Sequence, residues 1–128
     1  MPAYFLFKTE PDAYSFDDFL RDKETNWDGV TNPQAVKLLA GMKRGEMTVI
    51  YHTGTERRSV GIAKVTAVDA TDSKKPMVRL KFVKKAETPR TLAEIKAQSF
   101  FSTSPLLKQG RLSVVPLTEK QYAWLATK

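Results

Sequence analysis

Helix-start signals recur along this chain, yet each is closed off within a turn or two, and the apolar segments between them are β-branched or aromatic. That rhythm predicts a strand-rich α/β domain with short helices on its connections. Ser15-Phe16-Asp17-Asp18 has capping-box spacing, where a hydroxyl and an acid three residues on satisfy exposed helix-start amides, so a helix is expected over about 16–22. Asn32 is a good N-cap, Pro33 suits the first helical position, and Gly41 can close the end in a left-handed conformation, which bounds a second helix at about 33–40. Pro89 followed by Thr91-Leu92-Ala93-Glu94 opens a short helix ending near Gln98, and Thr118 with Gln121 opens a terminal one carrying Tyr122, Trp124 and Leu125. Strands are expected at about 3–8, 47–52, 60–68, 77–85 and 112–115. In the fourth of these Val78, Leu80 and Phe82 share one face, and Arg79, Lys81 and Val83 the other.

At 128 residues, without repeats or a low-complexity linker, the chain is long enough for one core and too short for two. Five or six strands joined by helix-bearing connections close more easily into a small barrel than into a doubly wound sheet. Gly54 and Gly61 fit neither the dinucleotide fingerprint nor the phosphate loop, so hydride transfer and nucleotide hydrolysis have no motif. The chain has no cysteine and one histidine, which excludes disulfides and leaves any metal cage short of ligands; no metal and no cofactor is expected. No apolar run approaches the roughly 20 residues of a spanning helix. The start, Met1 to Lys8, lacks the basic region and cleavage site of a signal peptide, so a cytoplasmic, intracellular protein with no membrane partner is expected, and a monomer.

Charge is unevenly spread. Residues 1–30 hold three Lys/Arg against seven Asp/Glu, whereas the rest hold eighteen against seven, within a total of +7. Basic residues gather at Lys43, Arg44, Arg57 and Arg58, and again from Lys74 to Arg90, the footprint of a polyanion binder. Arg57, Arg58, Lys81 and Lys84 are the candidate phosphate contacts. Lysines on an exposed strand face also discourage aggregation, so the cluster alone carries two readings.

Three segments set polar groups beside aromatics at element ends: Lys8-Thr9-Glu10-Pro11, Trp27 to Asn32, and Tyr51-His52-Thr53-Gly54. An aromatic plane flanked by hydroxyl, amide and carboxylate groups is what a planar base needs for stacking and edge recognition. The same segments, with Tyr4-Phe5-Leu6-Phe7, Ser15-Phe16, Val60-Gly61-Ile62-Ala63-Lys64-Val65 and Arg111-Leu112-Ser113-Val114, occur in an order that resembles the EVE domain of the PUA-like superfamily. The resemblance covers nearly the whole chain. It implies a PUA-like β-barrel related to the YTH readers of methylated adenine, and a nucleic-acid-binding module that recognises a modified base in DNA or RNA without catalysis. Thr9 and Thr53 stand where serine is common in the family, keeping the hydroxyl, and Phe5 and Phe16 where tryptophan is frequent. Thr31 stands where arginine is often found, removing one polar contact.

The expected pocket comprises Trp27 as stacking plate, with Lys8, Thr9, Glu10, Asn32 and Thr53 around it. Tyr51, His52, Arg111 and Ser113 complete its rim. Each has a structural rival: Asn32 as helix cap, Thr9 and Thr53 as local backbone partners, Lys8 with Glu10 as an ion pair, Trp27 as core. Two other functions fit less of the sequence. A small hydrolase would draw on Lys8, Glu10, Tyr51 or His52 but lacks nucleophile-base-orienter spacing. A small-ligand or protein-interaction adaptor would leave the basic segment as a solvated face.

Overall fold

Period-two burial builds the sheet. The structure, a computed structural model, describes residues 4–10, 15–27, 32–72, 74–86, 88–108 and 112–126. Among these residues six strands pair into one mixed sheet: β1 (Tyr4–Thr9), β2 (Glu24–Trp27), β3 (Met47–His52), β4 (Arg58–Asp69), β5 (Met77–Lys85) and β6 (Val114–Leu117), in the order β2-β5-β4-β3-β1-β6. β1 runs parallel to β3, and the other neighbours are antiparallel. Short helices occupy the connections: α1 (Phe16–Asp22), α2 (Pro33–Ala40), α3 (Leu92–Lys96), α4 (Pro105–Lys108) and α5 (Glu119–Ala126). On β5 Val78 and Leu80 are buried while Lys81 and Val83 face water, as the alternation requires.

The helix starts form through the capping chemistry read from the sequence. Ser15 and Asp18 exchange side-chain and backbone bonds at 3.0 and 3.1 Å, Thr91 and Glu94 at 3.1 and 3.2 Å, and Thr118 and Gln121 at 2.9 and 3.1 Å. The Asn32 Oδ1 accepts from the amides of Gln34 and Ala35 at 2.9 and 3.1 Å. Several features differ from expectation: Gly41 closes α2 at φ −91°, in the right-handed region and not the left-handed one, and a 3-10 turn forms at Ser99–Phe101. β2 was not foreseen, because four residues are too few to show a period. β6 spans 114–117 and not 112–115, since Tyr4 to Phe7 pair with that register and set its bounds. α4, opened by Pro105, has no capping box to announce it.

The sheet is curled. In the ladder Trp27 lies beside Val78, which pairs with Val68, four residues past the row that joins Lys64 to Met47 and Tyr4. Phe7 lies three residues beyond Tyr4 the opposite way, yet its ring meets the Trp27 indole at 5.3 Å between centroids and 86° between planes. Only a staggered, barrel-like closure brings these two strands together. The interior this creates holds Phe7, Phe19, Ile50, Leu80 and Val114 at less than 2% exposure, while Leu6 and Val49 are as deeply buried on the other face of the sheet. Gly61 is required where it is: a Cβ there would overlap the Phe16 ring, whose packing against Phe19 and Phe82 closes one end of the barrel.

Candidate nucleic-acid interface

Parallel pairing of β1 and β3 aligns two of the three polar segments. Lys8 lies opposite Tyr51 and Thr9 opposite His52. The Thr53 amide donates to the Thr9 carbonyl at 3.0 Å, its hydroxyl reaches the same oxygen at 3.4 Å, and the Lys8 amide donates to the Ser113 carbonyl at 2.8 Å. Three strand ends from distant parts of the chain thus meet. Trp27 joins them through Phe7, the residue before Lys8. The indole is half-buried, edge to face on Phe7.

Alternation divides this group between two faces. Thr9 and His52 follow Phe7 and Ile50, on the side of the sheet where Trp27 packs. Lys8 and Tyr51 follow Leu6 and Val49 on the opposite side, where Tyr4 stacks on Tyr122 of α5 at 4.4 Å. Tyr51 is buried; its burial raises the phenol above the usual tyrosine value, with the Arg57 charge acting the other way. Lys8 is partly buried, and that burial lowers its ammonium below the usual lysine value. Glu10 is exposed, Ser113 half-buried, and Arg111 lies outside the described residues, as do the four positions between Trp27 and Asn32.

His52 is engaged inside the fold. Its Nε2 accepts from the Phe16 amide at 2.9 Å, which leaves Nδ1 to carry the proton and donate to the Glu56 carboxylate at 3.0 Å. Arg58 closes the chain on the same carboxylate oxygen at 3.3 Å, and these bonds, the His52 contact first, hold Glu56 below the usual glutamate value. With both ring nitrogens used, His52 orients α1 against β3 and does not present a nitrogen to phosphate. The sequence signals for this were weak: Glu56 lies in a loop, where spacing carries no directional meaning. These side chains and Lys85 border a hollow of about 320 Å³.

The candidate phosphate contacts are exposed. The Arg57 Nε donates to the Gly54 carbonyl at 3.1 Å, so this side chain is partly oriented by its own loop. Lys81 and Lys84 stand on β5, with Lys81 opposite Lys64 and Lys84 opposite Ile62. Among the described residues no three His, Asp or Glu side chains converge as a metal site demands, and no helix is long and apolar enough to cross a membrane.

A six-stranded, curled sheet with short flanking helices is the architecture of the PUA-like class. Residues 3–128 match the EVE domain, and the chain belongs to that family. It is similar to a Rhodopseudomonas palustris protein solved by NMR, with 34% identity and a TM-score of 0.88 over 97% of this chain and 90% of the other. Human thymocyte nuclear protein 1 is 28% identical over 95% of this chain and 72% of its own length. A crystal structure of the human protein in complex with 5-methylcytosine-containing DNA superposes with a TM-score of 0.86 at 24% identity, covering 97% of this chain and 95% of that one.

Proposed function

We propose that this chain is a non-enzymatic reader that takes a modified base of DNA or RNA against Trp27. The observation that carries the reading is the placement of that indole: half-buried, fixed by Phe7 at the end of the four-residue outer strand β2, and next to the meeting point of β1, β3 and β6. A fixed aromatic edge with exposed ring surface offers a stacking plane at small entropic loss, and base stacking is worth about 1–3 kcal/mol. Thr9, on the same side of the sheet, and Asn32, whose amide nitrogen is not the atom used in capping, supply edge contacts. Glu10, Thr53 and Ser113 form the surrounding rim; Lys8 and the buried Tyr51 lie on the opposite side of the sheet and take no direct part. Arg57, Arg58, Lys81 and Lys84 contact phosphates outside it. His52 takes an indirect part by fixing α1. The human relative, solved with DNA bearing a methylated cytosine, supports the ligand class.

Binding of a panel of modified nucleosides and oligonucleotides, 5-methylcytosine included, tests the reading. Trp27→Ala should lose about 1–3 kcal/mol of affinity while melting remains cooperative, and Trp27→Phe should lose less. Unchanged affinity in Trp27→Ala, or a collapse of thermal stability in both variants, would overturn it.

A further inference from the structure

A second surface lies on the outward face of the sheet, away from the side on which Trp27 packs. Arg44, Lys64 and Lys81 line an open groove of about 810 Å³ together with Met47, Thr66 and Val83, and no acidic residue lines it among the described residues. Two features of its construction run against stability. Lys64 and Lys81 are directly opposed across an antiparallel pair, where like charges repel at a Cβ separation of about 5 Å. Val83 is 43% exposed, and the register places it as the extra residue of a bulge, between the pairs Ile62–Lys84 and Ala63–Phe82. A second bulge leaves Thr66 as the extra residue on β4, between the pairs Val65–Leu80 and Ala67–Arg79. The two bulges bracket the lysine pair and hold a cationic strip with apolar shoulders in one bent section of sheet. Glu24, next to Lys81 in register, does not quench it, since its carboxylate bonds Arg79 at 3.1 Å.

We infer that this groove seats the sugar–phosphate backbone of the strand flanking the captured base, with phosphates on Arg44, Lys64 and Lys81 and a sugar or base face on Met47 and Val83. The inference rests on the reading of the chain as a nucleic-acid binder. Lys81 lies opposite Glu24, three residues of strand or about 10 Å from Trp27, within reach of the same strand. Cations alternating with apolar surface suit a polynucleotide better than an acidic peptide, which has no regular apolar complement.

The test compares the wild type with Arg44→Gln/Lys64→Gln/Lys81→Gln and with Val83→Ser, on a modified mononucleotide and on oligonucleotides of about 16 nucleotides carrying the same base. The triple variant should lose far more oligonucleotide than mononucleotide affinity, and show a salt slope lower by roughly one unit per cation removed. Val83→Ser should weaken the oligonucleotide several-fold with the slope unchanged. Lys64→Gln alone should melt at or above the wild-type temperature, because a repulsion is removed. A wild type that gains nothing from the longer ligand, an unchanged slope in the triple variant, or tighter binding of polyglutamate than of the oligonucleotide would overturn the inference while leaving the base reading standing. Failure of the wild type to bind either nucleotide ligand would bring down both.

Discussion

Glu56 shows how one carboxylate ties a loop to the barrel. It accepts a hydrogen bond from the His52 Nδ1–H and an Arg58 contact, and its acidity rises accordingly. A folded-state value held below the ordinary 4.5 means that the ionised form is favoured by folding. The stabilisation is therefore fully present above the ordinary glutamate value and is lost as pH falls through the depressed one. Melting temperatures of the wild type and Glu56→Gln should differ at neutral pH and converge in acid; a gap that persists or widens in acid would contradict the assignment. At the same scale, the candidate residues separate by what their atoms already hold. Thr53 and His52 are occupied by Thr9, Phe16 and Glu56, and the half-buried Trp27 indole packs edge to face on Phe7.

β2 is the element on which the proposed pocket depends. Only four residues long, it holds Trp27 through its pairing with β5, and Arg79 ties the two by donating to Asn26 at 3.0 Å and Glu24 at 3.1 Å. These contacts are partly exposed, so their stabilising contribution is about 0–1 kcal/mol. Their effect should be local. Arg79→Ala is expected to leave the global melt nearly unchanged, speed amide exchange of residues 24–27, and weaken base binding by loosening the indole. Exchange unchanged in β2 would show that the Phe7 contact alone fixes the strand. The other elements needed less help: α1, α2 and α3 begin where their caps stand, and β5 alternates from its own residues.

Across the whole molecule, the sheet's two outer positions bear on association. β2 is short, and β6 carries an exposed Pro116 that offers no amide to a neighbouring strand. Self-pairing through β6 is thereby discouraged, and the net charge of +7 adds repulsion between copies. The expected state is a monomer at all ordinary concentrations, checked by sedimentation; a dimer whose affinity falls on mutating β6 would refute this. The opposite ends of the charge distribution also keep separate roles in the fold, since the acidic start supplies the caps of α1 and the basic remainder supplies the outward rows of β4 and β5.

Local chemistry determined where helices begin, which strand faces turn inward, and that polar segments would cluster at strand ends, because capping and alternation act over two to four neighbouring residues. The pairing of β1 with both β3 and β6, the strand character of Glu24 to Trp27, and the division of Lys8 and Tyr51 from Thr9 and His52 came from elsewhere. So did the meeting of Trp27 with Phe7 and the opposition of Lys64 to Lys81. Those depend on strand order, stagger and bulges, which are fixed by contacts between segments tens of residues apart and leave no periodic trace in either segment alone.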